Sequence, residues 1–210
     1  MIKRTLAALS LVMTANPVMA QTDGDFTHPC RGTPSWAQTD AQFSDFDFWV
    51  GEWHVYDTKS GELRGFDDIE KVLEGCVIKQ HWRQMDDLFS AQGLPWRLQG
   101  NSLTGMGADG VWRQTWTDNH GAFMVLEGGL NDKGHMVLTS EWLTFPAQNG
   151  QLQTVRYIWN WDAADDGLTI HNWGYVQAGD ENGEMRPYFD ITYRKSVKGS
   201  AAAKIRDQTD

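Results

Sequence analysis

From Phe43 to Lys195 the chain sets short apolar and aromatic runs between clusters rich in Gly, Asp and Asn. This is the pattern of successive antiparallel strands joined by tight turns. Ten strands are predicted: Phe46–Asp57, Leu63–Leu73, Cys76–Met85, Arg97–Thr104, Val111–Thr117, Phe123–Leu130, His135–Leu143, Thr154–Trp161, Leu168–Val176 and Pro187–Lys195. The links between them, such as Lys59-Ser60-Gly61, Asn131-Asp132-Lys133-Gly134 and Asn149-Gly150, carry the Asn and Gly that tight hairpins need for positive φ. Trp49, Gly51, Trp53 and Val55 alternate onto one face of the first strand. Trp112, Gln114 and Trp116 do so in the fifth, and Val155, Tyr157, Trp159 and Trp161 in the eighth. A period of two means one face buried and the other wet. Strands of this kind, linked by short hairpins, lose their exposed edges by closing into an antiparallel up-and-down barrel. A two-sheet sandwich is the alternative all-β solution. Helical periodicity is scarce, leaving room for a short helix before the first strand or within Asp86–Trp96.

The ends of the chain read differently. Lys3 and Arg4 precede an apolar stretch from Thr5 to Thr14, Asn16-Pro17 breaks it, and Val18-Met19-Ala20 offers small residues to a signal peptidase. The expected cleavage follows Ala20. An apolar run of about ten residues is too short to span a bilayer, which needs roughly 20. Residues 1–20 therefore read as a signal peptide, 21–42 as an extended polar arm, 43–195 as the barrel and 196–210 as a polar, disordered tail. The expected location is periplasmic or secreted, without membrane insertion.

Charge narrows the partners. The whole chain carries a net charge of −10, and loss of Lys3 and Arg4 makes the mature protein more acidic still. Nucleic-acid binding needs Lys and Arg to displace counterions, so no nucleic-acid partner is expected. Eleven tryptophans in a chain of 210 residues exceed what a surface can expose without associating. They fill a core, line a cavity for an apolar or aromatic ligand, or do both. The two cysteines, Cys30 and Cys76, form a disulfide if the protein enters an oxidising compartment. In the loop-entropy description a bridge of this span is worth roughly 4 kcal/mol.

The run Phe46-Asp47-Phe48-Trp49-Val50-Gly51-Glu52-Trp53 resembles the FDFWxGEW opening of exported bacterial proteins of unknown function in or near the DUF1579 group. The likeness continues at Ile69, at Gly75-Cys76-Val77-Ile78 with Trp82, and at Trp112-Arg113-Gln114-Thr115-Trp116-Thr117-Asp118-Asn119. Leu126-Glu127-Gly128-Gly129 and Tyr193-Arg194-Lys195 complete it. The resemblance implies a calycin, or lipocalin-like, barrel. Gln80 departs from the pattern, standing where a Glu two residues before the tryptophan is expected. Gly51-Glu52-Trp53 is also similar to the Gly-x-Trp of the first lipocalin strand. That likeness implies a floor tryptophan, Trp53, with a basic residue of the last strand across its ring, here Arg194, as a structural cation–π pair.

Catalytic patterns are sparse. No two of His28, His54, His81, His120, His135 and His171 have ligand spacing along one element, and no HExxH occurs, so no metal is expected. Nucleophile elbows and phosphate loops are absent, and no cofactor is expected. Glu127 and Glu141 stand within apolar strands. Facing inward, either would be desolvated and would suit general acid–base work. Asp118 and His120 form a candidate dyad at a hairpin tip. Polar strand residues Gln80, Gln114, Arg156 and Asn172 are candidates to orient a ligand, with Trp82, Trp116, Trp142 and Trp159 as walls. A pocket that is mostly apolar with a few polar groups points first to binding a small apolar or aromatic molecule. An acid–base enzyme performing isomerisation, hydration or cyclisation, and a ligand-free envelope scaffold, are the rivals.

Overall fold

The computed structural model describes Cys30 and residues 40–87, 96–147 and 149–197. The predicted signal peptide, most of the predicted arm, the segment 88–95 and the tail beyond residue 197 lie outside the described residues.

Among the described residues, eleven strands form one antiparallel sheet that closes on itself. They are β1 (Gly51–Asp57), β2 (Leu63–Val72), β3 (Val77–Gln84), β4 (Gln99–Met106), β5 (Trp112–Asp118), β6 (Phe123–Leu130), β7 (Met136–Ser140), β8 (Leu143–Pro146), β9 (Leu152–Ala163), β10 (Thr169–Ala178) and β11 (Met185–Lys195). Neighbours in sequence pair as an up-and-down meander, and β11 pairs back onto β1, with Tyr193 opposite Val55. The all-β barrel expected from the alternation is the observed fold, and the sandwich is not.

The extra strand arises from a break. β7 pairs with β9 from Trp161 to Ile158, and β8 pairs with the same side of β9 from Val155 to Leu152. The two are successive pieces of one barrel stave interrupted at Glu141-Trp142. Ser140 patches the gap: its Oγ accepts from the Tyr157 backbone N–H at 2.9 Å and donates to the Glu141 carbonyl at 2.8 Å. Unpaired main-chain groups at such an interruption would otherwise carry a desolvation cost.

One end of the barrel is solid. Phe46 to Trp49, expected as the start of the first strand, instead forms a 3-10 turn (Asp47–Trp49) that turns back under the barrel. Its rings fill the floor. Phe46 stacks on Trp49 at 4.9 Å between centroids and meets Trp112 and Trp161 edge to face at 5.9 and 5.1 Å. Trp53 is fully buried beside them and donates its indole N–H to the Trp49 carbonyl at 2.8 Å. The cation over Trp53 is Lys195, at 5.4 Å, and not Arg194. Register explains the correction. Lys195 lies opposite Trp53, whereas Arg194 lies opposite His54 on the outer face and covers the Tyr56 ring at 5.0 Å.

Cys30 and Cys76 are joined, tying the N-terminal region to the β2–β3 hairpin beside the floor. That hairpin places both Leu73 (φ 52°) and Glu74 (φ 57°) in the left-handed region. Among the described residues, no helix is long and apolar enough to cross a membrane.

Candidate ligand-binding cavity

Above the floor, the other half of the barrel encloses a cavity of about 570 Å³. Trp49 and Trp161 form its base, and Trp82, Trp116, Tyr157, Trp159 and Phe189 its walls. It opens where β1, β3 and β5 end and β2, β4 and β6 begin, at a rim that includes Asp57, Arg64, Asp86, Asp118 and Tyr188. A volume of this size suits a drug-sized molecule.

Two devices make the space. The first is a set of strand glycines on which wall rings lie. A Cβ on Gly65 would stand 2.6 Å from the Trp82 ring, one on Gly100 2.4 Å from Trp116, and one on Gly174 2.4 Å from Phe189. Each ring lies flat along the sheet because the neighbouring strand carries no side chain there. The second is the register shift between β10 and β11. Gly174 pairs with Phe189 but Tyr175 with Pro187, so Tyr188 is the inserted residue. A bulge re-aims side chains. Here it brings Tyr188 beside Tyr157, at 5.1 Å between rings, while Phe189 stays inside against Trp159 at 5.9 Å.

The wall rings meet at steep angles. Trp159 stands at 80° to Trp116, 73° to Phe189 and 70° to Trp161. Such edge-to-face contacts are favourable for aromatic quadrupoles. They also enclose the space with rings in several orientations.

A buried polar chain runs beneath one wall. Tyr193 Oη donates to Asp67 Oδ2 at 2.8 Å, and Gln80 Nε2 donates to the same oxygen at 2.7 Å. Ser102 Oγ donates to Gln80 Oε1 at 2.8 Å, and Gln114 Nε2 reaches Ser102 and Thr104 at 3.3 and 3.0 Å. The chain reaches from β11 across β1 to β2, and then runs through β3, β4 and β5 in side-by-side order. Asp67 is fully buried, and burial pushes its carboxyl up to about 7 against the partial pull of the Gln80 and Tyr193 hydrogen bonds. Burial and the adjacent Asp67 likewise hold the Tyr193 hydroxyl well above its ordinary value.

The rim is ionic. Arg64 is clamped between Asp57 and Asp86, at 2.9 and 2.8 Å. Gln84 also donates to Asp86. The Ser60 backbone N–H, and then Arg64, hold the Asp57 carboxyl well below the usual range. Asp118 accepts the backbone N–H groups of His120 and Ala122 at 2.9 and 3.0 Å, and the Trp116 indole N–H at 2.9 Å. The His120 ring nitrogen lies 3.2 Å from the Trp96 carbonyl. Asp118 and His120 thus shape the hairpin and anchor a wall ring.

Among the sequence candidates, Gln80, Trp82, Trp116, Trp159 and Asn172 converge on the cavity. Gln114 points inward but is sealed in the polar chain beneath the wall, with no exposed surface. Trp142 and Arg156 do not line the cavity. Arg156 has the opposite strand parity to Tyr157, and its guanidinium covers the Trp142 ring at 4.7 Å while its Nε donates to Gln177 at 2.8 Å. Glu127 and Glu141 are both exposed, so neither is the inward carboxylate expected. Glu127 pairs with Arg113 at 3.3 Å on the outer face, and Glu141 sits in the break after β7. The inward carboxylate is instead Asp67, which shares its strand parity with the apolar Ile69 and is fully buried.

Compared with known protein families, the chain matches none, and no curated protein matches it.

Proposed function

We propose that this is an exported binding protein that holds a small, largely aromatic molecule in the barrel. The observation that carries the reading is the cavity of about 570 Å³ walled by Trp82, Trp116, Tyr157, Trp159 and Phe189. An aromatic guest replaces water against these rings and gains burial and stacking together. Gln80, Asn172, Tyr157 and Tyr193 are among the polar groups on the inner walls. Export follows from the leader-like first twenty residues, and the disulfide and the lack of a membrane-spanning helix among the described residues agree with it. Kinship with the lipocalin-like DUF1579 group belongs to the same proposal and rests on the FDFWxGEW motif.

Titration with N-phenylnaphthylamine tests the reading. Quenching of tryptophan emission together with enhancement of probe emission is the expected result. If neither changes up to the probe's solubility limit, and native mass spectrometry of gently purified protein shows no bound small molecule, the reading fails.

A second reading, acid–base catalysis, moves from Glu127 and Glu141 to the buried Asp67. Two cavity-lining groups, Tyr193 and Gln80, bond directly to it. A turnover found for the protein and abolished by Asp67→Asn at unchanged fold would favour this reading.

A further inference from the structure

The cavity's charge and ring geometry select among aromatic guests, and the selection rests on the binding reading above. We infer that the guest is an organic cation: an aromatic body bearing a quaternary or protonated amine, with its positive charge held between the ring cage and the acidic rim.

Three observations carry the inference. First, aromatic rings form much of the wall. Trp116, Trp159, Trp161 and Phe189 line one space with Trp159 steeply tilted to the other three. Rings in several orientations around a common volume are how proteins hold quaternary ammonium groups, because the negative ring faces attract the charge without demanding a hydrogen bond. Second, the rim has the complementary sign. Among the described lining residues, Asp57, Asp86 and Asp118 face a single cation, Arg64, while Asp190 turns outward to pair with His171 at 2.8 Å. Arg64 is already committed to Asp57 and Asp86, so it offers an entering anion little. A mouth of net negative charge focuses its field on an approaching cation. Third, the rim and cage are physically joined. Asp118 accepts the Trp116 indole N–H at 2.9 Å. A carboxylate on that N–H pushes electron density into the ring and strengthens its attraction for a cation on its face.

The alternatives fare worse. A fatty-acid-like anion must pass the carboxylate rim and finds its one counter-ion occupied. A neutral guest fits the walls but leaves the rim's field unused.

Three probes of equal shape separate these cases: (naphthylmethyl)trimethylammonium, its neutral isostere neopentylnaphthalene, and naphthylmethanesulfonate. Each is titrated into the full protein by tryptophan fluorescence. The expected result is the cation bound at least about tenfold more tightly than the neutral isostere, and the sulfonate bound most weakly. Raising salt should weaken the cation alone and leave the affinity of the neutral probe unchanged. Equal affinity for the cation and the neutral probe, or tighter binding of the sulfonate, overturns the inference and leaves the binding reading standing. If none of the three binds and N-phenylnaphthylamine also fails, both fall together.

Discussion

Tyr193 donates its hydroxyl hydrogen to Asp67 Oδ2 across 2.8 Å, linking residues 126 apart in sequence and stitching the last strand to the second across β1. The bond stands at the edge of the cavity and ties the barrel's closure to a buried carboxyl.

That carboxyl makes stability depend on pH. Folded Asp67 titrates near 7, against an ordinary value of 3.8. Between those values the folded protein keeps a proton that the unfolded chain releases. The contribution of Asp67 is therefore fully present below the unfolded value and is lost as pH rises through the folded one, by roughly 4 kcal/mol in all. Asp67→Asn removes the titration. Urea unfolding across this window should show wild type losing stability relative to the variant as pH rises. Parallel pH profiles for the two proteins would contradict the assignment.

Gly100 is a space-filling requirement of the site. Its Cβ position lies 2.4 Å from the Trp116 ring, so Gly100→Val must displace that wall. A loss of about 1–3 kcal/mol is expected, with weaker binding of aromatic probes. Gly129, where nothing lies within 4 Å, is the control, and Gly129→Ala should stay within about 0.5 kcal/mol of wild type. Thermal melts and probe titrations of both variants check this.

The β2–β3 hairpin carries correctable strain. Leu73 and Glu74 are both held at positive φ, which Asn and Gly adopt at far lower cost. Leu73→Asn combined with Glu74→Gly should raise stability by about 1 kcal/mol. Leu73 is 71% exposed, so little burial is lost. Denaturant midpoints that fall would show that the hairpin gains something from these side chains.

Much of the barrel was legible because period-two alternation is a local signal that hairpins preserve. The inward sets Trp112–Gln114–Trp116 and Tyr157–Trp159–Trp161 follow from it directly. It failed where the period breaks. Tyr188 enters the rim only through a bulge, and Trp142 leaves the wall because Glu141-Trp142 interrupts the stave. Phe46 to Trp49 has strand-like composition but caps the floor, a tertiary demand that no local pattern carries. Asp67 was readable in principle. Gly65, Asp67 and Ile69 share a face, and strict parity places a carboxyl on the apolar side. The adjacent Asp68, which pairs outward with Arg83 at 2.7 Å, obscures which of the two carboxyls keeps the inward parity. Glu127 shows the same lesson reversed, since its parity with Val125 sets it outside while Leu126 points in.

Because both glutamates face solvent, Glu127→Gln and Glu141→Gln should leave stability within about 0.5 kcal/mol and leave probe affinity unchanged. Isothermal titration of each variant with N-phenylnaphthylamine checks this. A large loss in either would mean that the outer face takes part in binding.

The indole N–H signals of the protein in a proton–nitrogen correlation spectrum report on the cavity directly, wall by wall. On adding N-phenylnaphthylamine, the signals of Trp82, Trp116, Trp159 and Trp161 should shift while those of Trp142 and Trp173 stay in place. Shifts confined to Trp142 and Trp173, or none at all, would contradict a ligand-binding barrel interior.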